Sequence, residues 1–166
     1  MPNPYPNPAM PEQYIANALY GGFAQHVRKT VTFTGAAGVG AAGTVALFTV
    51  TGRVMVNWFT AYCTTLLLTS GAATMVCGTP GDTDGFIAIT TATDIDEDEW
   101  WTAATPAVGA KSPLQVLTGG LVTSQGTKLL NENINLTVAS ADVQSGVIVF
   151  DAFWIPITDD GALVAA

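Results

Sequence analysis

Residues 133–157, NINLTVASADVQSGVIVFDAFWIPI, decide the fold of this chain because they hold two strand-like segments separated by a short stretch. In the first segment, Ile134, Leu136 and Val138 alternate with polar residues, a period of two that is typical of a strand with one buried face. The second segment, residues 146–157, is apolar at almost every position except Asp151. This composition predicts a strand that runs through the centre of the fold, between two layers.

The same alternation of β-branched and small residues, interrupted by Gly and Pro, extends from Val31 to Ile157. It predicts eight strands, at Thr30–Thr34, Thr44–Thr51, Arg53–Tyr62, Ala73–Gly78, Phe86–Thr91, Glu99–Thr102, Asn133–Ala139 and Gly146–Ile157. Short strands with frequent turns indicate an all-β protein, an antiparallel β-sandwich of jelly-roll type. The chain has 166 residues, and we expect residues 30–166 to form a single sandwich domain.

The composition excludes several classes of function. Charged residues make up only 11% of the chain, and the net charge of −8 comes largely from acids between Asp82 and Glu99. Five basic residues are too few to neutralise a run of phosphates, so we expect no nucleic-acid partner. Thr, Gly and Asn interrupt the uncharged stretches, which argues against a membrane segment. Cys63 and Cys77 are predicted to be buried free thiols, as in a protein made in a reducing cytoplasm.

Residues 1–29 are predicted to form an N-terminal arm before the sandwich. The prolines among the first eleven residues favour an extended, polyproline-like chain, and residues 11–20 favour a short amphipathic helix that ends before Gly21. The tyrosines and aliphatic residues of the arm are too apolar for a free tail. We therefore expect another surface to cover them.

No motif predicts catalysis or a bound cofactor. His26 is the only histidine, and the chain has no G-x-S-x-G serine. Gly38–Gly43 matches the G-x-G-x-x-G spacing of dinucleotide sites, but a strand follows it where that chemistry requires a helix. The interpretation is a glycine-rich turn between strands, and the protein is predicted not to be an enzyme.

The acidic run 94–99 resembles the start of a calcium loop, because Asp94, Asp96 and Asp98 have D-x-D-x-D spacing. Glu99 stands where that loop needs glycine, so the pattern fails. The preferred prediction is a solvated acidic turn, in which Thr93 and Asp96 form a capping box, with a cation site as the weaker alternative.

The tryptophans and one buried-looking carboxylate are the remaining candidates for a site. Trp58 and Trp154 lie within predicted strands and are expected in the core. Trp100 and Trp101 are adjacent, so one should enter the core and the other should face a partner. An alternative is a platform of tryptophans on which sugars stack. Asp151 is predicted to pair with Arg53 or a backbone donor, or to face an edge.

Three segments together resemble small structural proteins of tailed bacteriophages: residues 31–54, residues 91–101 with the sequence TATDIDEDEWW, and residues 147–161. The likeness covers about residues 31–161 and leaves the arm unmatched. It implies a capsid decoration (cement) or head-fibre subunit, located on the virion and made in the host cytoplasm. Such proteins are commonly trimeric sandwiches at symmetry axes of the capsid lattice, so the implied partners are the major capsid protein and further copies of this chain.

The arm and the adjacent tryptophans supply the predicted contact residues. They are Pro4, Tyr5, Pro6, Tyr14, Ile15, Leu19, Tyr20, Trp100 and Trp101. The alternative function is a module on the virion or tail that binds a host surface or a carbohydrate. No catalytic residue, cofactor or metal is predicted in either case.

Overall fold

A computed structural model describes residues 25–102 and 127–166 of the chain. These residues form ten strands and a single 3₁₀ turn at Ala92–Asp94. The strands are β1 Gln25–Thr32, β2 Gly43–Thr51, β3 Val54–Thr69, β4 Thr74–Thr79, β5 Asp82–Thr91, β6 Glu99–Trp101, β7 Lys128–Leu130, β8 Ile134–Ala139, β9 Val143–Pro156 and β10 Ala162–Ala165.

The strands form two antiparallel five-stranded sheets that pack as a sandwich. The first sheet has the order β1-β9-β3-β6, and β7 also pairs with β3; the second has the order β10-β2-β8-β4-β5. With β7 and β10 set aside, this leaves four strands in each sheet, in the order of a jelly roll, an eight-stranded sandwich built from two Greek keys. The predicted all-β, jelly-roll-like sandwich is therefore confirmed.

Each of the eight predicted strands is present, but β1, β5 and β9 begin earlier than predicted, β3 extends to Thr69, and two strands were missed. Strand β1 begins at Gln25 rather than Thr30, so it crosses the predicted boundary between residues 29 and 30. The residues of β1 that face outward are polar and exposed, so this segment lacks the apolar pattern from which a strand is predicted. β7 and β10 have three and four residues, too few to establish a period. The predicted arm up to residue 24, with its helix at 11–20, lies outside the described residues.

The core lies between the sheets and is dominated by aromatic side chains. The Phe59 ring lies 4.8 Å from Phe86 and 6.1 Å from Phe150, and Phe150 lies 6.4 Å from Trp101, all between ring centroids. Strand β9 is central in its sheet, between β1 and β3. On one face of β9, Phe150 and the residues two positions before and after it are buried. On the opposite face, Phe153 is exposed. β9 is therefore covered by the second layer on one face, and not on both as predicted.

The glycine-rich segment is a turn that joins β1 to β2, as predicted. Gly35, Gly38, Gly40 and Gly43 all have positive φ, which side-chain-bearing residues rarely adopt. A Cβ on Gly40 would collide with the carbonyl oxygen of Val143. The turn is held where the β8–β9 connection enters β9, by two backbone hydrogen bonds to the first residue of β9: Val143 N–H donates to Gly40 O at 2.8 Å, and Gly35 N–H donates to Val143 O at 3.0 Å.

The cysteines are free and buried, one in each sheet, which confirms the prediction. Burial raises the pKa of Cys63 to about 11, so its thiol stays protonated near neutral pH. Within residues 25–102 and 127–166, no helix has the length and apolar character needed to cross a membrane.

Candidate functional site

The outer face of the first sheet carries an open groove of about 580 Å³. Strands β1, β9 and β3 form its floor, because Arg28, Asp151 and Thr60 occupy neighbouring positions across these strands. The next row across the same strands is His26, Phe153 and Trp58. The lining residues are His26, Arg28, Asn57, Trp58, Thr60, Trp100, Asp151 and Phe153.

Asp151 is the centre of a polar network on the groove floor. Its Oδ1 accepts a hydrogen bond from Arg28 Nε at 2.8 Å, its Oδ2 accepts one from an Arg28 Nη at 3.2 Å, and His26 Nε2 lies 2.5 Å from Oδ1. The Asp151 side chain is only 9% exposed. The hydrogen bond to Asp151 raises the pKa of Arg28, which keeps the guanidinium charged. The partner of Asp151 is therefore Arg28 on the adjacent strand, and the predicted pairing with Arg53 is wrong.

The exposed wall of the groove is aromatic. Trp58 is 42% exposed, and Phe153, its partner across the strands, is 38% exposed. The His26 ring stacks on Phe153 with a centroid distance of 4.7 Å. The groove thus has rings at its sides and charged groups at its floor.

Trp58 was predicted in the core, and this prediction is wrong because of a β-bulge. The pairing of β3 with β9 shifts between Val56 and Trp58, so Asn57 is an extra residue and the alternation reverses after it. Val56 and Phe59 both face the core, and Trp58 faces out. Trp154 is in the core, as predicted.

The two adjacent tryptophans face opposite sides of the first sheet, as predicted. Trp101 is fully buried in the core and donates a hydrogen bond from Nε1 to Thr90 Oγ1 at 2.9 Å. It therefore has no surface to offer a partner. Trp100 lines the groove and packs on Tyr62, with ring centroids 4.8 Å apart.

No family, curated protein or solved structure matches this chain. The predicted contact residues of the arm lie in residues 1–24, outside the described part of the chain. They are Pro4, Tyr5, Pro6, Tyr14, Ile15, Leu19 and Tyr20. Among the predicted contact residues, Trp100 is the one that the structure places at the groove.

The outer face of the second sheet is the other unusual surface. None of the residues in β10, β2, β8 and β4 is charged. Thr137 on β8 lies at the centre of this face, since it pairs with Thr44 on one side and Val76 on the other. The fifth strand of this sheet, β5, carries Asp82 and Asp84. We call the outer surface of β10, β2, β8 and β4 the uncharged face.

The acidic turn differs from its prediction. The residue that caps the 3₁₀ turn is Thr91, and it makes no side-chain cap hydrogen bond, so the proposed box of Thr93 and Asp96 is wrong. Instead the Asp96 N–H donates to Glu99 Oε2 at 2.9 Å. Among residues 25–102 and 127–166, no three His, Cys, Asp or Glu side chains form a group that could hold a metal ion.

Glu99 is a buried acid with an unsatisfied oxygen. The residue is 2% exposed, and its Oε1 has no hydrogen-bond partner among residues 25–102 and 127–166. Burial raises the pKa of Glu99 above its ordinary value of 4.5, and the Asp96 carboxylate adds to this effect. Protonation of Glu99 is therefore more favourable in the folded state than in the unfolded state.

Glu99→Gln is expected to remove a pH-dependent loss of stability. Because the folded pKa of Glu99 is raised, its contribution favours folding most below pH 4.5, and stability falls as the pH rises through the folded pKa. Glutamine stays neutral, so the melting temperature of the variant should exceed that of the parent by an amount that grows between about pH 4 and pH 7.

Thermal melts over this pH range measure the effect, with Asp84→Asn, at an exposed carboxylate, as the control. A gap between parent and Glu99→Gln that stays constant with pH would contradict the assignment.

Proposed function

We propose that this protein is a non-enzymatic structural subunit of a tailed-bacteriophage virion. In this proposal it assembles as a homotrimer and attaches to the major capsid protein on the virion surface. The observation that carries the proposal is the uncharged face of the second sheet, on a jelly-roll sandwich, an architecture used by viral capsid proteins. The resemblance of residues 31–161 to phage structural proteins supports the same function.

The uncharged face has the composition of a packing surface. A solvated sheet face normally carries Lys, Glu or Asp, whereas the centres of protein interfaces are depleted of charged residues. Thr44, Val76 and Thr137 are short side chains, so they allow a second flat surface to approach closely. Burying this face would desolvate no charge, which removes the largest cost of association.

The size of the face favours several contacts rather than one. Four strands spaced about 4.8 Å apart and six residues long cover about 400 Å². A standard interface takes about 800 Å² from each partner, so the uncharged face supplies about half of it. Contacts repeated around a symmetry axis, together with the predicted arm, would supply the rest.

The groove on the first sheet supports a role without catalysis. Among the lining residues that the structure describes, Asp151 is the only carboxylate, whereas glycoside hydrolysis needs a pair. This carboxylate forms an ion pair with Arg28 and a hydrogen bond with His26, and the described lining places no serine or cysteine beside the histidine.

Thr137→Lys is expected to abolish self-association. A lysine at the centre of the uncharged face would be buried without a partner, which costs about 3 kcal/mol or more and raises the dissociation constant at least about 100-fold. Gel filtration with multi-angle light scattering on the full chain measures this as a change from trimer to monomer.

Thr32→Lys is the matched control, because Thr32 is an exposed residue of β1 in the first sheet. It should leave the trimer intact. A monomeric parent protein, or equal effects of the two lysines, would refute the assembly through this face. Co-sedimentation of the same three proteins with phage capsids tests attachment, and a parent protein that stays in the supernatant would refute the capsid role.

A further inference from the structure

We propose that the groove on the outer face of the first sheet binds a neutral saccharide. The residues that would carry the binding are Trp58, Trp100, Asp151 and Arg28. This inference goes beyond the structural role proposed above, because the groove lies on one sheet and the uncharged face on the other.

The aromatic rings of the groove offer a platform for the apolar face of a sugar ring. Trp58 is 42% exposed because the bulge at Asn57 turns its side chain away from the core. Bulges are commonly found where a strand must re-aim a side chain toward a site. Phe153 lies beside it, and Trp100 lines the same groove from β6. An indole that faces out next to a second ring suits a flat ligand that stacks on it.

The floor of the groove offers hydrogen bonds in a fixed geometry. Arg28 binds both carboxylate oxygens of Asp151 through two of its nitrogen atoms, and His26 contacts Oδ1, the oxygen that Arg28 Nε also binds. These contacts lock the carboxylate against rotation, so it is pre-organised to accept hydrogen bonds. The remaining N–H groups of Arg28, whose side chain is 61% exposed, are directed away from Asp151 and can donate. Paired donors and acceptors suit the neighbouring hydroxyl groups of a sugar.

The charge of the groove selects a neutral ligand. Arg28 and Asp151 neutralise each other, and the described part of the chain places no other Lys, Arg, Asp or Glu in the lining. An anionic ligand would have to compete with Asp151 for Arg28, in a protein whose net charge is −8. A peptide strand is disfavoured too, because the face of a sheet has no unpaired backbone groups with which to extend the ladder.

Three neutral tetrasaccharides, cellotetraose, chitotetraose and maltotetraose, are the probes for this groove. We expect at least one to bind the full chain, as measured by isothermal titration calorimetry and by a change in tryptophan fluorescence. Trp58→Ala should weaken that binding at least about tenfold, since a stacked ring contributes on this scale. Asp151→Asn should weaken it as well, because it disrupts the network on the floor.

Ile89→Ala is the control, because Ile89 is a 62% exposed apolar residue on β5 of the other sheet. It should bind the sugars as the parent does, and circular dichroism should show all variants folded. Absence of binding to every probe would overturn the proposal, as would binding that is unchanged in Trp58→Ala. A synthetic peptide of residues 1–24 that binds the groove more tightly than any sugar, and that loses binding in Trp58→Ala, would also overturn it.

Discussion

Phe150→Ala is expected to lower the free energy of unfolding by about 3–5 kcal/mol, the usual cost of removing a buried phenylalanine ring. Phe150 is fully buried and lies between Phe59 and Trp101, which come from two different strands of its sheet. The hydrogen bonds between strands hold the surrounding strands in place, so the cavity that the Phe150 ring leaves cannot close completely. A loss of this size is a large fraction of the total stability of a domain.

Phe153→Ala is the matched control for this change. It removes the same side chain from the same strand, three positions along, where the ring faces the groove and is 38% exposed. We expect a loss below about 1 kcal/mol, as for most surface substitutions. Urea denaturation of both variants measures the difference. Equal losses of unfolding free energy in the two variants would contradict the assignment of one face of β9 to the core and the other to the groove.

Gly40→Ala is expected to cost about 3–5 kcal/mol, for two reasons that add. An alanine at φ +126° occupies a strained conformation, which costs about 1–3 kcal/mol. Its Cβ would also meet the carbonyl oxygen of Val143, so the backbone must move. That movement breaks the two hydrogen bonds that join the turn to Val143, the first residue of β9, and each of them contributes about 1 kcal/mol.

Gly38→Ala tests the cost of the strained conformation without the collision. Gly38 also has a positive φ, of 76°, but a Cβ there meets nothing within 4 Å. We expect a loss of about 1–2 kcal/mol from the left-handed conformation alone. Thermal melts of the two variants give the comparison. If Gly38→Ala proves as destabilising as Gly40→Ala, the turn is not packed against the start of β9 as described.

The two outer faces of the sandwich differ in the chemistry that they offer. On one face, four of the five strands have no charged residue and carry short side chains, as a surface that packs against protein would have. The other face holds an ion pair beneath exposed rings, as a ligand site would have. A subunit that assembles through one face and keeps the other open could display the groove on the outside of a virion.

The sequence by itself determined the fold class and the core of this protein. The alternation of Ile134, Leu136 and Val138, and the apolar run that contains Phe150, are local signals of period two, and the structure confirms the strands that they predict. The same period of two predicted that Trp100 and Trp101 face opposite sides of the sheet, because adjacent residues in a strand alternate between its faces.

The groove was decided only by the tertiary structure. Arg28 and Asp151 are separated by 123 positions along the chain, so no local pattern connects them, and their pairing depends on the register of β1 against β9. Trp58 was misplaced because the extra residue in a bulge reverses the facing of the residues that follow it, up to the next shift in register, and a bulge depends on how the partner strand pairs. Periodicity reports which residues share a face of one strand, whereas a site depends on which strands lie side by side.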